Sequence, residues 1–354
     1  MKKALLSALL LAAVVLAAGA DGAPLFRITG ELDTGVQDVV SMTAAGTSDS
    51  ISLYDNDTGN PSRFRIGLSF TSPNGNWGLK ARLDNETLLA AGTLSAAWNQ
   101  ALVWASFFDR LVKVKAGLLD EEAFSFTWKP YGTEVIWGDE FDGALGAEIQ
   151  VQPLEGLQVG WVLPIVHGST MLETLETSYA AVSYELPGIL HVVGGLLLSP
   201  SSTTYAWAGA DVLALKDLTA RVAAQALNIN NTYLTWLETF EELGYPFGPI
   251  LVDLKGWQEV YALPNSAFAW QVEPSVSYLL GGFTFTVLFD WGTLIALDPN
   301  PGIPILPFGF AAGASAAYSL APTSTIKIGA LYKMGDVTVH SAVVQLFLSF
   351  QWLF

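Results

Sequence analysis

From Val344 to Phe354 every second residue is apolar: Val344, Leu346, Leu348, Phe350, Trp352 and Phe354, with Gln345, Phe347, Ser349, Gln351 and Leu353 between them. A β-strand turns successive side chains to opposite faces. This segment therefore has one wholly apolar face, rich in aromatics. A soluble domain would bury such a face in a core. In a membrane-spanning β-barrel the same face meets lipid, and aromatic girdles sit at the two water interfaces. The pattern predicts an all-β fold, a transmembrane antiparallel up-and-down β-barrel.

The alternation recurs along the chain. Phe26, Ile28, Leu32 and Val36 oppose Arg27, Thr29, Glu31 and Asp33; Phe64, Ile66, Leu68 and Phe70 oppose Arg63, Arg65, Ser69 and Thr71; Trp77, Leu79, Ala81 and Leu83 oppose Lys80, Arg82 and Asp84. Pro73-Asn74-Gly75-Asn76 is a four-residue hairpin turn that keeps the last two polar sets on one side. Ile326, Ile328, Ala330 and Tyr332 oppose Thr325, Lys327 and Lys333 in the same way.

Composition fits a barrel. Hydrophobic residues make up 51% and charged residues 14%, apolar for a soluble protein. Yet no stretch after the leader reads as a spanning helix, since Asn99-Gln100 interrupts the run 87–108 and Pro304 and Pro307 break the run 302–322. A sandwich of two soluble sheets would also alternate, but its outward face would be charged. There is no cysteine, so neither a disulfide nor a lipid-modified cysteine is expected. Lys2 and Lys3, the apolar run 4–18 and the small residues Ala18-Gly19-Ala20 read as a secretory signal peptide, residues 1–20, which leaves a barrel over 21–354. The net charge of −17 argues against nucleic acid as a partner, which needs a basic face.

Sixteen strands are predicted, starting near 25, 62, 77, 97, 111, 143, 157, 178, 189, 203, 218, 266, 283, 307, 324 and 340. Short turns alternate with longer connections, the longest near 38–61, 120–142 and 229–265, as expected of short periplasmic turns and long outer loops. Within the last of these, Leu234, Leu237 and Phe240 fall at helical spacing and suggest a short amphipathic helix.

Basic residues are few and clustered. Arg27, Arg63, Arg65, Lys80, Arg82, Lys113 and Lys115 fall on the polar faces of the first strands, and Lys327 and Lys333 lie on the fifteenth, which barrel closure brings close to the first. They predict a positive stripe along one wall of the lumen. The third outer loop carries Asp120, Glu121, Glu122, Glu134, Asp139, Glu140 and Asp142. This combination resembles the general diffusion porins of bacterial outer membranes. The likeness is architectural and spans 21–354: strand count, loop number and a terminal aromatic, Phe354, similar to the signal by which such barrels reach their insertion machinery. It implies residence in the outer membrane, contact with outer-membrane lipid, a homotrimer, and a third loop folded into the lumen so that its acids face the basic wall. Trp128 and Trp137 stand in that loop in place of the acidic signature of enterobacterial porins.

Other signals are weak. Asp55-Asn56-Asp57-Thr58-Gly59-Asn60 lacks the spacing and the distal glutamate of a calcium loop and reads as a solvated turn. Asn56, Asn85 and Asn230 head Asn-x-Thr triplets without meaning in a bacterial chain. His167, His191 and His340 are far apart in sequence, and no nucleophile elbow, zinc motif or phosphate loop appears. No enzyme, metal or cofactor is expected. The function expected is a passive channel for small hydrophilic solutes and ions with a mild preference for cations, because acids exceed bases and rings of acids favour cations. Two alternatives stand beside it. One is a surface-exposed structural or adhesive barrel. The other is a substrate-specific channel, marked by an aromatic slide such as Tyr205, Trp207 and Trp104.

Overall fold

A computed structural model describes residues 25–43, 45–54, 63–85, 97–120, 123–128, 135–137, 145–165, 178–198, 203–214, 217–229, 233–261, 267–292, 309–336 and 341–353. The expected signal peptide, residues 1–20, the turn 55–60 and the connections 86–96, 166–177 and 293–308 lie outside the described residues.

Strands dominate. They are β1 (Leu25–Thr43), β2 (Gly46–Tyr54), β3 (Arg63–Thr71), β4 (Trp77–Asn85), β5 (Ala97–Phe107), β6 (Val112–Leu118), β7 (Phe126–Trp128), β8 (Val135–Trp137), β9 (Leu145–Leu154), β10 (Leu157–Pro164), β11 (Tyr179–Leu186), β12 (Leu190–Leu198), β13 (Thr203–Val212), β14 (Thr219–Ile229), β15 (Tyr233–Phe247), β16 (Ile250–Tyr261), β17 (Ala267–Leu280), β18 (Phe283–Gly292), β19 (Gly309–Ala321), β20 (Ser324–Asp336) and β21 (Ser341–Leu353). Around the barrel each strand pairs antiparallel with the next, β1 with β3 and β6 with β9, and β21 pairs with β1 from Glu31↔Leu353 to Met42↔Ala342, which closes the barrel. Closure leaves no unpaired edge in lipid, where an unsatisfied backbone group is costly.

The barrel has eighteen strands, with β2 as one extra, and not sixteen. One hairpin supplies the two further barrel strands, and β2 is a second addition outside that count. Residues 229–265, expected as a long outer loop with a helix, contain the hairpin β15–β16, paired from Phe247↔Ile250 to Trp236↔Tyr261. Gly248, at φ 64°, forms its turn with Pro249. Leu237 and Phe240 stand on opposite faces of β15, Phe240 inward and buried, and a β-bulge opposite Leu227/Asn228 shifts the phase of alternation. The second addition lies within 38–61. Strand β1 runs on to Thr43 and turns into β2, which pairs with its upper half, while β3 pairs with its lower half from Leu25↔Thr71 to Asp33↔Arg63. Strands β2 and β3 therefore share one position in the barrel, end to end.

The two faces separate as the alternation requires. On β21, Leu346, Leu348 and Trp352 are 51%, 52% and 44% exposed, whereas Ser349 is 3% exposed. The exposed face is the lipid face. Near the short turns it carries Phe283, with Phe285 stacked on it at 5.9 Å between centroids and Tyr318 tilted against it at 4.4 Å. The inner face holds the buried polar residues Asp33, Gln100, Glu148, Gln150, Gln225, Glu238, Gln271, Glu273 and Asp290.

Candidate functional site

The segment that follows β6 packs against the inner wall. Leu119, Phe124 and Phe126 are buried in a cluster with Val162, Tyr179, Ala181, Val193, Tyr205, Trp207, Ala223 and Phe240, contributed by β10 to β15. An otherwise polar inner wall thus carries one apolar seat, and the segment sets two phenyl rings into it. The Trp207 indole Nε1 donates to the Phe124 carbonyl at 2.9 Å. Tyr179 meets the Trp207 ring edge-on and Tyr205 stacks on it, both with centroids 5.4 Å apart. The Arg221 guanidinium lies 4.8 Å from the centre of the Phe126 ring. Space for these rings comes from glycine: a Cβ on Gly160 would strike Phe124, one on Gly195 would strike Trp207, and one on Gly209 would strike Phe126. Strands β7 and β8 form a small hairpin within the same connection.

Charge pins the other end. Asp120 accepts from Lys80 on β4 and from Lys115 on β6, both at 2.8 Å, and Lys115 also meets Glu148 of β9 at 3.0 Å. Burial alone would raise the Asp120 carboxyl, but Lys115 and then Lys80 outweigh it and lower its pKa to about 2. The contribution of this contact to loop anchoring is present above the ordinary carboxylate value and is lost only as pH falls through about 2. A carboxyl ¹³C titration of the labelled protein is expected to find Asp120 ionised at pH 3; a midpoint near 4 would mean that the lysines do not reach it.

The basic stripe is assembled largely as the spacing suggested, but little of it is bare. Arg65 reaches Glu31 at 3.5 Å and Asp84 at 3.4 Å, and Arg82 reaches Asp84 at 3.0 Å. Lys113 lies over the Trp104 ring, 4.9 Å from its centre, and Lys327 over Phe347 at 5.6 Å. Arg27 is exposed near the short-turn end, paired in register with Ser69. Arg63 belongs to β3. Of the loop acids only Asp120 is among the described residues; Glu121, Glu122, Glu134, Asp139, Glu140 and Asp142 are outside them. The supposed aromatic slide divides. Tyr205 and Trp207 are buried beneath Phe124, while Trp104 lines a cavity of about 560 Å³ with Ser106, Lys113, Gln150 and Gln158, bordered by Asp120 and Ala123 of the same segment.

Sequence reading missed a second charged wall, because part of it was assigned to a loop. Glu238 and Glu242 on β15, Asp253 and Glu259 on β16, Glu273 on β17 and Asp290 on β18 share the inner face. Lys255 meets Glu273 at 3.3 Å and Asp253 at 3.7 Å, and Arg221 bridges Asp211 at 2.6 Å and Glu242 at 3.4 Å. Tyr205 donates to Gln225 at 2.5 Å, and Gln225 donates to Glu238.

No family model matches the chain, and no curated protein does. Solved structures do. The outer membrane protein OpdK from Pseudomonas aeruginosa superposes with a TM-score of 0.59 at 10% identity, covering 93% of this chain and 98% of its own. OccK2 (OpdF) of the same organism gives 0.59 at 9% identity over 92% and 97%, and OpdL gives 0.58 at 8% over 93% and 98%. At such identities the likeness is one of fold: this is the closed antiparallel barrel of outer-membrane channels.

Proposed function

We propose that the chain is an outer-membrane channel for small hydrophilic solutes and ions, exported through removal of residues 1–20, with a mild preference for cations. The observation that supports the preference is the contrast between the two walls. The bases of β3, β4 and β6 are matched by Glu31, Asp84, Asp120 and Glu148, whereas β15 to β18 set six acids against Lys255, the neighbouring Arg221 and Lys333 of β20, which stands by Asp290. Acids lining a pore favour cations. Segment 119–126 gives the pore its narrow part, and its two anchors, ionic at Asp120 and aromatic at Phe124, keep it against the wall.

In a salt gradient across a planar bilayer the reversal potential is expected on the cation side. Neutralising Glu259 and Glu273 to Gln moves it toward zero, and neutralising Arg65 and Arg82 to Gln moves it further toward the cation. An anion-selective parent would mean that the basic wall governs the field. A second reading, a channel that selects its solute, is favoured by the cavity at Trp104, where an indole face and the Lys113 ammonium stand together. Saturable block of the ion current by one class of organic solute distinguishes it from a general pore.

A further inference from the structure

Antiparallel register brings together three residues that are dispersed in sequence. Ser183 on β11, His191 on β12 and Asp211 on β13 share the inner face near the short-turn end. His191 is paired directly with Asp211, and Ser183 stands opposite Val193, two residues along. Ser183 Oγ lies 3.4 Å from His191 Nε2, and Asp211 Oδ2 lies 3.5 Å from His191 Nδ1. One ring nitrogen faces a hydroxyl and the other faces a carboxylate. A hydroxyl nucleophile needs that division: one nitrogen takes its proton, and the other is oriented by an acid. Distances of this size are usual before substrate docks and tighten on binding.

The surroundings support the role. The other oxygen of Asp211 accepts from Arg221 Nε at 2.6 Å, and Arg221 is held by Glu242, so the carboxylate has a fixed plane. The His191 side chain is 33% exposed, so its ring is reachable from the lumen. Gln158 is paired with Ser183 across β10 and β11 and borders the 560 Å³ cavity.

We propose that Ser183, His191 and Asp211 form a hydrolytic triad that cleaves small carboxylic esters within the lumen. Ser183 Oγ attacks the ester carbonyl carbon as His191 Nε2 takes its proton. The tetrahedral adduct collapses, the bond to the alcohol oxygen breaks, and the alcohol leaves with that proton. Water then attacks the acyl-serine, again giving its proton to His191, and the carboxylic acid departs as the proton returns to Ser183. The sum is ester plus water to acid plus alcohol. Asp211 is a positioning residue that keeps Nδ1 protonated and the ring in place.

The test uses the full-length barrel purified in detergent, with heat-modifiable gel mobility as the check of folding. A fluorophosphonate probe is expected to add once per chain, at Ser183 by peptide mapping. Release of p-nitrophenol from p-nitrophenyl acetate is expected to fall by about a hundredfold or more in S183A and in H191Q. D211N loses most of the rate and D211E recovers part of it, which a merely structural role would not produce. Absence of a Ser183 adduct on the folded parent, or a parent rate retained in S183A, overturns the proposal.

Discussion

Cells producing the chain with Phe350 and Trp352 both changed to serine are expected to contain almost no heat-modifiable barrel. Both residues stand on the lipid face of β21, and β21 is the strand that closes the sheet, hydrogen-bonded to β20 on one side and to β1 on the other. Taking a large apolar side chain out of an apolar medium costs about 1.5–3 kcal/mol, so the pair represents roughly 3–6 kcal/mol at the last step of closure. A sheet that fails to close presents unpaired backbone to lipid, which no spanning structure tolerates. Serine at Gln351, which faces inward between them, is the control and should leave the yield intact. Equal membrane-embedded yield from the double variant would show that β21 is not a lipid-facing closing strand.

The second large effect is expected at the inner loop. Changing Phe124 and Phe126 to alanine should widen the pore and raise its single-channel conductance by at least about twofold, since pore diameter sets passage. Each phenyl group is buried in the seat formed by Tyr179, Trp207 and Phe240, and a Phe-to-Ala change at such a site costs about 3–5 kcal/mol. The Asp120 contacts alone do not hold the far end, because they lie at the β6 side of the segment. Increased current noise should accompany the wider pore as the freed segment moves. Unchanged conductance and noise in the double variant would mean that the segment does not set the narrow part.

How far the sequence could be read depended on whether one physical signal acted alone. Strand β21 was plain because its lipid face is apolar throughout and nothing disturbs its phase. Strands β15 and β16 were hidden because three influences overlap there. A bulge near Asn228 shifts the phase, the inner face carries Glu238 and Glu242 around a buried Phe240, and Glu241 stands on the exposed face between Leu243 and Thr239. Neither face is then wholly apolar. The turn itself, Phe247-Gly248-Pro249-Ile250, was a legible signal that the helical spacing obscured. The basic stripe could be found because Arg65, Lys80 and Arg82 follow the two-residue period of a single hairpin. The acids that neutralise it could not all be found, since Glu148 and Asp120 reach it from other strands and from a loop. Tyr205 and Trp207 illustrate the same limit: period two places them on the inner wall, but only the fold shows Phe124 resting on them. The meeting of Ser183, His191 and Asp211 likewise depends on cross-strand register.

A channel requires an open water-filled passage through the barrel, and single-channel recording of the purified, unmodified protein in a planar bilayer tests for it directly. Uniform discrete current steps are expected at each insertion, with a reversal potential on the cation side in a salt gradient. A membrane that takes up heat-modifiable protein and yet shows no steps above its bare conductance would mean that the barrel holds no open passage.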